Sequence, residues 1–238
     1  MVRDMPLRSL INDVSLDDDE GKGYPILFNN QEIRKMLRLA SAGPRDVFYD
    51  LGSGWGQNLI VSVTEFGVKK AVGIEQDRER HNVSRERLEK RGILDARAFV
   101  FREKFQRVLS GRTRELKLSD ATIVFYGLST DKRIVDGIGK NLKKGSRLVY
   151  YYRCLFPEII PDRVDYPFYV SVTPFRRPRS QREWLSEIVR KDRSSLTNGK
   201  KPSVQELWDE LSHDYDVGWV GDRIDNYRGR LARAVNQS

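Results

Sequence analysis

A chain of 238 residues, 39% apolar and 32% charged, can bury one substantial core and little beyond it. A formal net charge of +9 suits contact with nucleic acid, an acidic protein or an anionic surface, and equally plain solubility. The single cysteine, Cys154, excludes an intramolecular disulfide and a cysteine metal cluster. The two histidines, His81 and His213, are too far apart in sequence to point to a metal site. Without a long apolar run or a signal-peptide pattern, the expected location is the cytoplasm, with no membrane contact.

Met1–Gly23 reads as a flexible acidic lead-in, with Asp17, Asp18, Asp19 and Glu20 in succession. After Tyr24-Pro25, residues Asn29–Ala42 form an amphipathic pattern with Ile33, Met36, Leu37 and Ala40 on one face. Asn29 or Asn30 is the cap, and Gly43-Pro44 the stop. Tyr24 and Phe28 then either lie across a ligand mouth or pack beneath this helix. Asp46–Leu51 is a short β-favouring run, followed by Gly52, Gly54 and Gly56. Gln57–Phe66 carries Leu59, Ile60, Val63 and Phe66 at helical spacing, and Gly67 stops it. Ala71–Ile74 is a second buried strand, ending at Glu75. Strand, glycine turn, helix and strand make a right-handed crossover with a crevice at the carboxyl ends of its strands.

The residues of that crevice select a ligand. Glycines admit close approach to the backbone, and a helix start there can hold a pyrophosphate. Asp50, however, stands just before the first glycine and opposes a polyanion. The spacing Asp50-x-Gly52-x-Gly54-x-Gly56 also differs from the dinucleotide fingerprint. Glu75 suits a bidentate grip on ribose hydroxyls. Two carboxylates without a basic residue in the turn favour a cationic, ribose-bearing ligand, and S-adenosylmethionine meets that description. The alternative is an ordinary glycine turn with a coincidental acid.

Farther on, Asp77–Arg91 is a charged helix, read as a solvated face. Ala96–Phe101 is a third strand and Glu103–Leu109 a helical stretch. Asp120–Tyr126 is apolar enough to be buried on both faces. Asp131–Leu142 is a helix, Ser146–Tyr152 the next strand, and Phe168–Thr173 a late strand without an evident partner. This alternation predicts an α/β fold with a doubly wound, mostly parallel Rossmann-like sheet over 24–175. Arg176–Lys201, with nine basic against three acidic residues, reads as a basic linker. Residues 202–238 read as a small helical appendage, with Val204, Leu207, Trp208 and Leu211 at helical spacing.

On these runs the sequence resembles class I, seven-strand methyltransferases. More narrowly it resembles archaeal protein-lysine methyltransferases, and it is also similar to the disruptor-of-telomeric-silencing family of histone-lysine methyltransferases. The resemblance rests on Tyr24-Pro25, Ile33–Leu37, Tyr49–Gly54, Val68–Glu75, Asp120–Val124 and Lys143–Val149. It implies that Asp50, Gly52, Ser53, Gly54 and Gly56 hold the methionine part of S-adenosylmethionine, with S-adenosylhomocysteine as product. Glu75, followed by Gln76, would hold the ribose. Gln57 matches a turn residue of the histone-modifying branch, and Trp55, unusual there, would wall the methionine pocket. Glu103-Lys104-Phe105 stands where that branch has Gly-Asp-Phe, so Phe105 alone is left to pack on adenine. Phe125-Tyr126-Gly127-Leu128 stands in place of that branch's asparagine-rich motif.

The reaction expected from the resemblance is methyl transfer to protein lysine, on chromatin-type proteins, without a metal. An aromatic channel would lower the lysine pKa and orient its ammonium; its candidate residues are Tyr24, Phe28, Tyr126 and Tyr151. Each is otherwise a core aromatic. Tyr151 and Tyr152 face opposite ways on a strand. A nucleic-acid methyltransferase is the second reading, although the chain lacks the Asn/Asp-Pro-Pro-aromatic motif that grips a flipped base. A third is an inactive cofactor-binding module docking on DNA through Arg176–Lys201, which would also permit nucleoid or chromatin association.

Overall fold

The computed structural model describes residues 28–113, 115–127, 132–151, 158–165 and 167–191. In chain order these form α1 (Asn30–Leu39), β1 (Val47–Leu51), α2 (Gln57–Thr64), β2 (Lys70–Glu75), α3 (Arg78–Glu89) and β3 (Ala98–Arg102). There follow α4 (Phe105–Leu109), β4 (Ile123–Tyr126), α5 (Lys132–Asn141), β5 (Arg147–Tyr151), β6 (Arg163–Asp165), β7 (Phe168–Val172) and α6 (Gln181–Lys191). The acidic lead-in, Tyr24 and the 202–238 appendage lie outside the described residues.

The strands form one seven-stranded sheet in the order β3-β2-β1-β4-β5-β7-β6. Strands β1 to β5 pair in parallel, and β7 runs antiparallel to both β5 and β6. Strand order reverses between β1 and β4, the place where open α/β sheets bind ligands. All four residues of β4 are buried, as expected of a strand covered on both faces. Alternation sends Tyr49, Leu51, Val124, Tyr126 and Tyr150 into one core layer. Phe48, Ile123, Phe125, Val149 and Phe168 enter the other.

The partner that β7 lacked in the sequence is β6 together with β5. β6 is only three residues long, with Val164 alone buried, so it shows no readable alternation. The β4 run begins at Ile123, because Leu118–Asp120 form one 3-10 turn that buries Leu118.

Helix α1 is fixed at both ends. Asn29 Oδ1 accepts from the Gln31 and Glu32 N–H groups, and Glu32 Oε2 accepts from the Asn29 N–H at 2.8 Å, a capping box. At the other end Arg147 Nη1 donates to Ala40 O at 2.6 Å and Ser41 O at 3.0 Å, while Arg163 Nη1 donates to Leu39 O at 2.9 Å. Asp46 ion-pairs with Arg147 and accepts from Thr122 Oγ1 at 2.8 Å. The last turn of α1 is thereby held at the amino edge of the sheet. Its first turn, with Phe28 before it, is at the carboxyl edge.

The stretch read as a basic linker contains α6, which is docked. Trp184 is 4% and Ile188 2% exposed, and Trp184 Nε1 donates to Ile159 O at 3.0 Å.

Candidate active site

The glycine turn leans across β2. Gly52 N–H and Ser53 N–H both donate to Ile74 O, at 2.8 and 3.1 Å. This crossing requires a glycine in the strand beneath: a Cβ on Gly73 would lie 2.6 Å from Ser53 Oγ and 2.7 Å from Leu59 Cδ1. Gly56 is required twice over. Its φ is +77°, and a Cβ there would sit 2.2 Å from Ser84 Oγ on α3.

Asp50 is 1% exposed. Its Oδ2 accepts from Asn58 Nδ2 at 3.0 Å, whereas Oδ1 is buried without a hydrogen-bond partner. Burial pushes its carboxyl up to about 7; the Asn58 hydrogen bond opposes the rise, and the nearby Glu75 adds to it. Glu75, 4% exposed, is satisfied from three sides. Its Oε2 accepts from Gly54 N–H at 2.8 Å, its Oε1 accepts from Asp77 N–H at 2.9 Å, and Arg80 Nη2 lies 3.4 Å from Oε1. Asp50 is in register with Gly73 on one side and Phe125 on the other, so Asp50, Glu75 and Phe125 share a face of the sheet. An orphaned carboxylate oxygen beside an open glycine turn fits a ligand bearing a positive charge. At Gly54 no atom stands within 4 Å of where a Cβ would be.

The remaining predicted residues divide. Gln57 is held by the protein itself: Nε2 donates to Asn30 Oδ1 at 2.6 Å, and Oε1 accepts from Arg87, which also donates to Trp55 O at 2.8 Å. Trp55 is half-buried and Gln76 exposed. Phe28 meets Tyr151 with ring centroids 4.9 Å apart, Phe168 at 5.3 Å and Phe125 at 5.7 Å. Tyr126 lies on the other face, fully buried, with Phe105 edge-on to it at 5.5 Å. Phe28 and Tyr151 thus come together, while Tyr126 does not join them.

Sequence reasoning missed Asn58, Gly73, Arg80, Ser84 and Arg87. Only Gly73 carried a signal, a glycine inside a strand.

The basic run is largely paired where it is described. Arg176, Arg190 and Lys191 approach Glu187 at 2.7, 2.8 and 2.9 Å, and Arg177 pairs with Asp136 at 2.6 Å. Arg190, Lys191 and Arg176 hold the Glu187 carboxyl well below the usual carboxylate range. Among the described residues no helix is long and apolar enough to cross a membrane. No group of three or more His, Cys, Asp or Glu among them is placed to hold a metal.

A seven-strand sheet with one reversed strand, carrying an acid, a glycine turn and a second acid at the ends of β1 and β2, defines a class I, S-adenosylmethionine-dependent methyltransferase. A family model described as "Histone methylation protein DOT1" matches residues 27–107. A protein-lysine N-methyltransferase of Saccharolobus islandicus (strain REY15A) is 34% identical over 119 residues, which span 49% of this chain and 68% of that protein. The chain belongs to the family of that methyltransferase. Among solved structures, an RNA methyltransferase from Salinibacter ruber in complex with S-adenosyl-L-homocysteine superposes with a TM-score of 0.56. It is 24% identical, over 66% of this chain and 99% of that one, a likeness of fold. A SAM-dependent O-methyltransferase from Thermotoga maritima gives a TM-score of 0.45 at 17% identity, over 54% of this chain and 46% of that one.

Proposed function

We propose that this enzyme methylates lysine side chains of proteins, with chromatin-type proteins as the substrate class. The observation that carries the reading is the aromatic group formed by Phe28, Phe125, Tyr151 and Phe168, on the face of the sheet that also bears Asp50 and Glu75. The relative named as a protein-lysine N-methyltransferase supports it.

Bound S-adenosylmethionine supplies an electrophilic methyl group on a sulfonium, and in-line displacement there needs no metal. Asp50 would accept from its ammonium through the unpartnered Oδ1, and Glu75 from the ribose hydroxyls. The glycine turn with Ser53 would take the methionine chain, Trp55 would wall it, and Phe105 would pack on adenine. A free lysine has a pKa near ~10.4 and must lose its proton before it can attack. Aromatic walls at Phe28 and Tyr151 exclude water and favour that loss, and their ring faces orient the incoming ammonium. Such positioning is the main contribution a protein makes to a displacement of this kind.

Incubation with labelled cofactor, a basic chromatin-type protein and nucleic acid tests the reading. Label in protein lysine is expected; label in nucleic acid alone overturns it. Phe28→Ala should raise the KM for the protein and leave affinity for S-adenosylhomocysteine unchanged. Nucleic-acid contact through Arg176–Lys201, and with it nucleoid association of a cytoplasmic enzyme, belongs to the same proposal. Reversing the charge of Arg176, Arg177 and Arg179 should weaken DNA binding, and unchanged binding removes that part.

A further inference from the structure

Helix α3 looks from its composition like a solvated rod, yet one of its faces touches both halves of the crevice. Residues 80, 84 and 87 follow one another at spacings of four and three, so they share a face. Arg80 is only 16% exposed at its side chain and reaches back to Glu75 Oε1 at 3.4 Å. Its Nε is buried without a hydrogen-bond partner and lies 3.9 Å from Asp77 Oδ1. Ser84 is fully buried, its Oγ likewise unpartnered, and it occupies the space that a side chain on Gly56 would need. Arg87 forks onto Trp55 O and Gln57 Oε1, and Gln57 passes the link to Asn30 at the start of α1. A fourth link joins the two halves directly, from Gly54 N–H to Glu75 Oε2 at 2.8 Å.

A surface helix needs none of this. Arginines are mostly exposed unless paired. Here two on one face are turned inward, one onto the acid that ends β2 and one onto the carbonyl of the glycine turn. The small residue between them lets the turn's backbone come close. We propose that Arg80, Ser84 and Arg87 are positioning residues that clamp the Glu75 carboxylate and the Trp55–Gln57 turn into one rigid cofactor cradle. None of the three need touch the ligand. Arg80 fixes the direction of the carboxylate, Arg87 fixes the turn, and Ser84 sets the distance between turn and helix. Preorganisation of this kind lowers the ordering that binding would otherwise require. The inference rests on Asp50 and Glu75 being the cofactor's anchors.

The probe is S-adenosylhomocysteine, titrated calorimetrically into the full chain. Losing a hydrogen bond from a charged donor, as at Arg87, corresponds to roughly ten- to hundredfold in an equilibrium constant, and losing a largely buried ion pair, as at Arg80, to a loss on the same scale. Arg80→Met and Arg87→Met should each weaken binding by about tenfold or more. Arg80→Lys, which keeps a single donor near Glu75, should recover most of the loss; Arg87→Lys, able to serve only one of two acceptors, should recover part. Ser84→Val, which crowds Gly56 without removing a charge, should weaken binding, whereas Ser84→Ala should stay within about twofold of the parent. If the methionine variants do not fold, the lysine variants and the Ser84 pair decide. Unchanged affinity in both methionine variants overturns the clamp, and so does equal loss in Lys and Met. With those variants unfolded, equal affinity in Ser84→Val and Ser84→Ala overturns it. Glu75→Ala is the control: if it binds like the parent, the anchor reading fails rather than the clamp.

Discussion

Replacing Asp50 by Asn should make the enzyme more stable and its cofactor site worse. The Asp50 carboxyl is 1% exposed and is raised from an ordinary 3.8 to about 7, chiefly by burial. An unfolded chain releases that proton near pH 3.8, whereas the folded chain keeps it until about 7. Between those values the folded state holds the extra proton, so stability falls as pH rises through the window and levels off above it. At about 1.4 kcal/mol per pH unit the fall amounts to about 4 kcal/mol by pH 8. The amide of Asp50→Asn would still accept from Asn58, and it carries no charge to desolvate or to repel Glu75. The variant should match the parent near pH 4 and exceed it by up to about 4 kcal/mol at pH 8, roughly 8–16 °C in melting temperature for a chain of this size. Calorimetric melts from pH 4 to 8.5 measure this directly. Affinity for S-adenosylhomocysteine should fall about tenfold or more in the same protein, since the ligand ammonium loses its counter-charge. A variant less stable than the parent at pH 8, or equal pH slopes for the two, would refute the reasoning.

Gly56→Ala should lower the melting temperature and weaken cofactor binding together, because a left-handed alanine costs about 1–2 kcal/mol before any contact with Ser84 is counted; an unchanged melt would show that the turn yields. Arg147→Met leaves Asp46 without its guanidinium, although Thr122 Oγ1 and Gly43 N–H still donate to it, and takes the donor from the Ala40 and Ser41 carbonyls at the end of α1, so urea unfolding should show a loss of about 3–5 kcal/mol. A loss below about 1 kcal/mol would mean that the ion pair holds nothing in place. Trp184→Ala should cost about 3–5 kcal/mol and expose 176–191 to protease, whereas a true linker would show neither effect.

The fold was legible because its signals are local. The apolar run ending at Tyr126, the glycines at 52, 54 and 56, and an asparagine cap ahead of the Ile33–Ala40 face each declare an element without reference to the rest of the chain. The strand β6 declares nothing, since three residues with one inward side chain have no period. The two acids proposed as anchors, Asp50 and Glu75, stood out in position for the same local reason, each at a strand end beside a turn. The support behind them was not. Arg87 and Gln57 are thirty positions apart, and whether an arginine faces water or a carbonyl depends on what the fold brings opposite it. The same holds for α6: its charge suggested a linker, whereas Trp184 and Ile188 are buried against the rest of the fold. For Tyr126 and Tyr151, alternation relates residues within a strand, but only the pairing of Asp50 with Phe125 shows which parity shares the acid's face.

Strand order carries this further. Phe105 follows β3, Glu75 ends β2, Asp50 sits one residue from the end of β1, and Phe125 and Tyr151 lie on β4 and β5. Because the sheet runs β3-β2-β1-β4-β5, these residues follow one another along its carboxyl edge, Phe105 on the Tyr126 side and the others on the face of Asp50. In the proposed reading that line is adenine, ribose, methionine and acceptor, the order in which the ligand's own atoms are bonded and then attacked. Neighbouring strands are about 4.8 Å apart, so adjacent anchors are spaced on the scale of one sugar or one short chain. A cationic nucleoside can therefore span β3 to β1 with its reactive end toward β4. The aromatic group begins one strand beyond Asp50, and α1 holds Phe28 above it by virtue of being fixed at Leu39, Ala40 and Ser41 at the far edge of the sheet. In that reading donor and acceptor sites are separated by strand position rather than by loop length, and substitutions at the two ends of the line should act on different substrates.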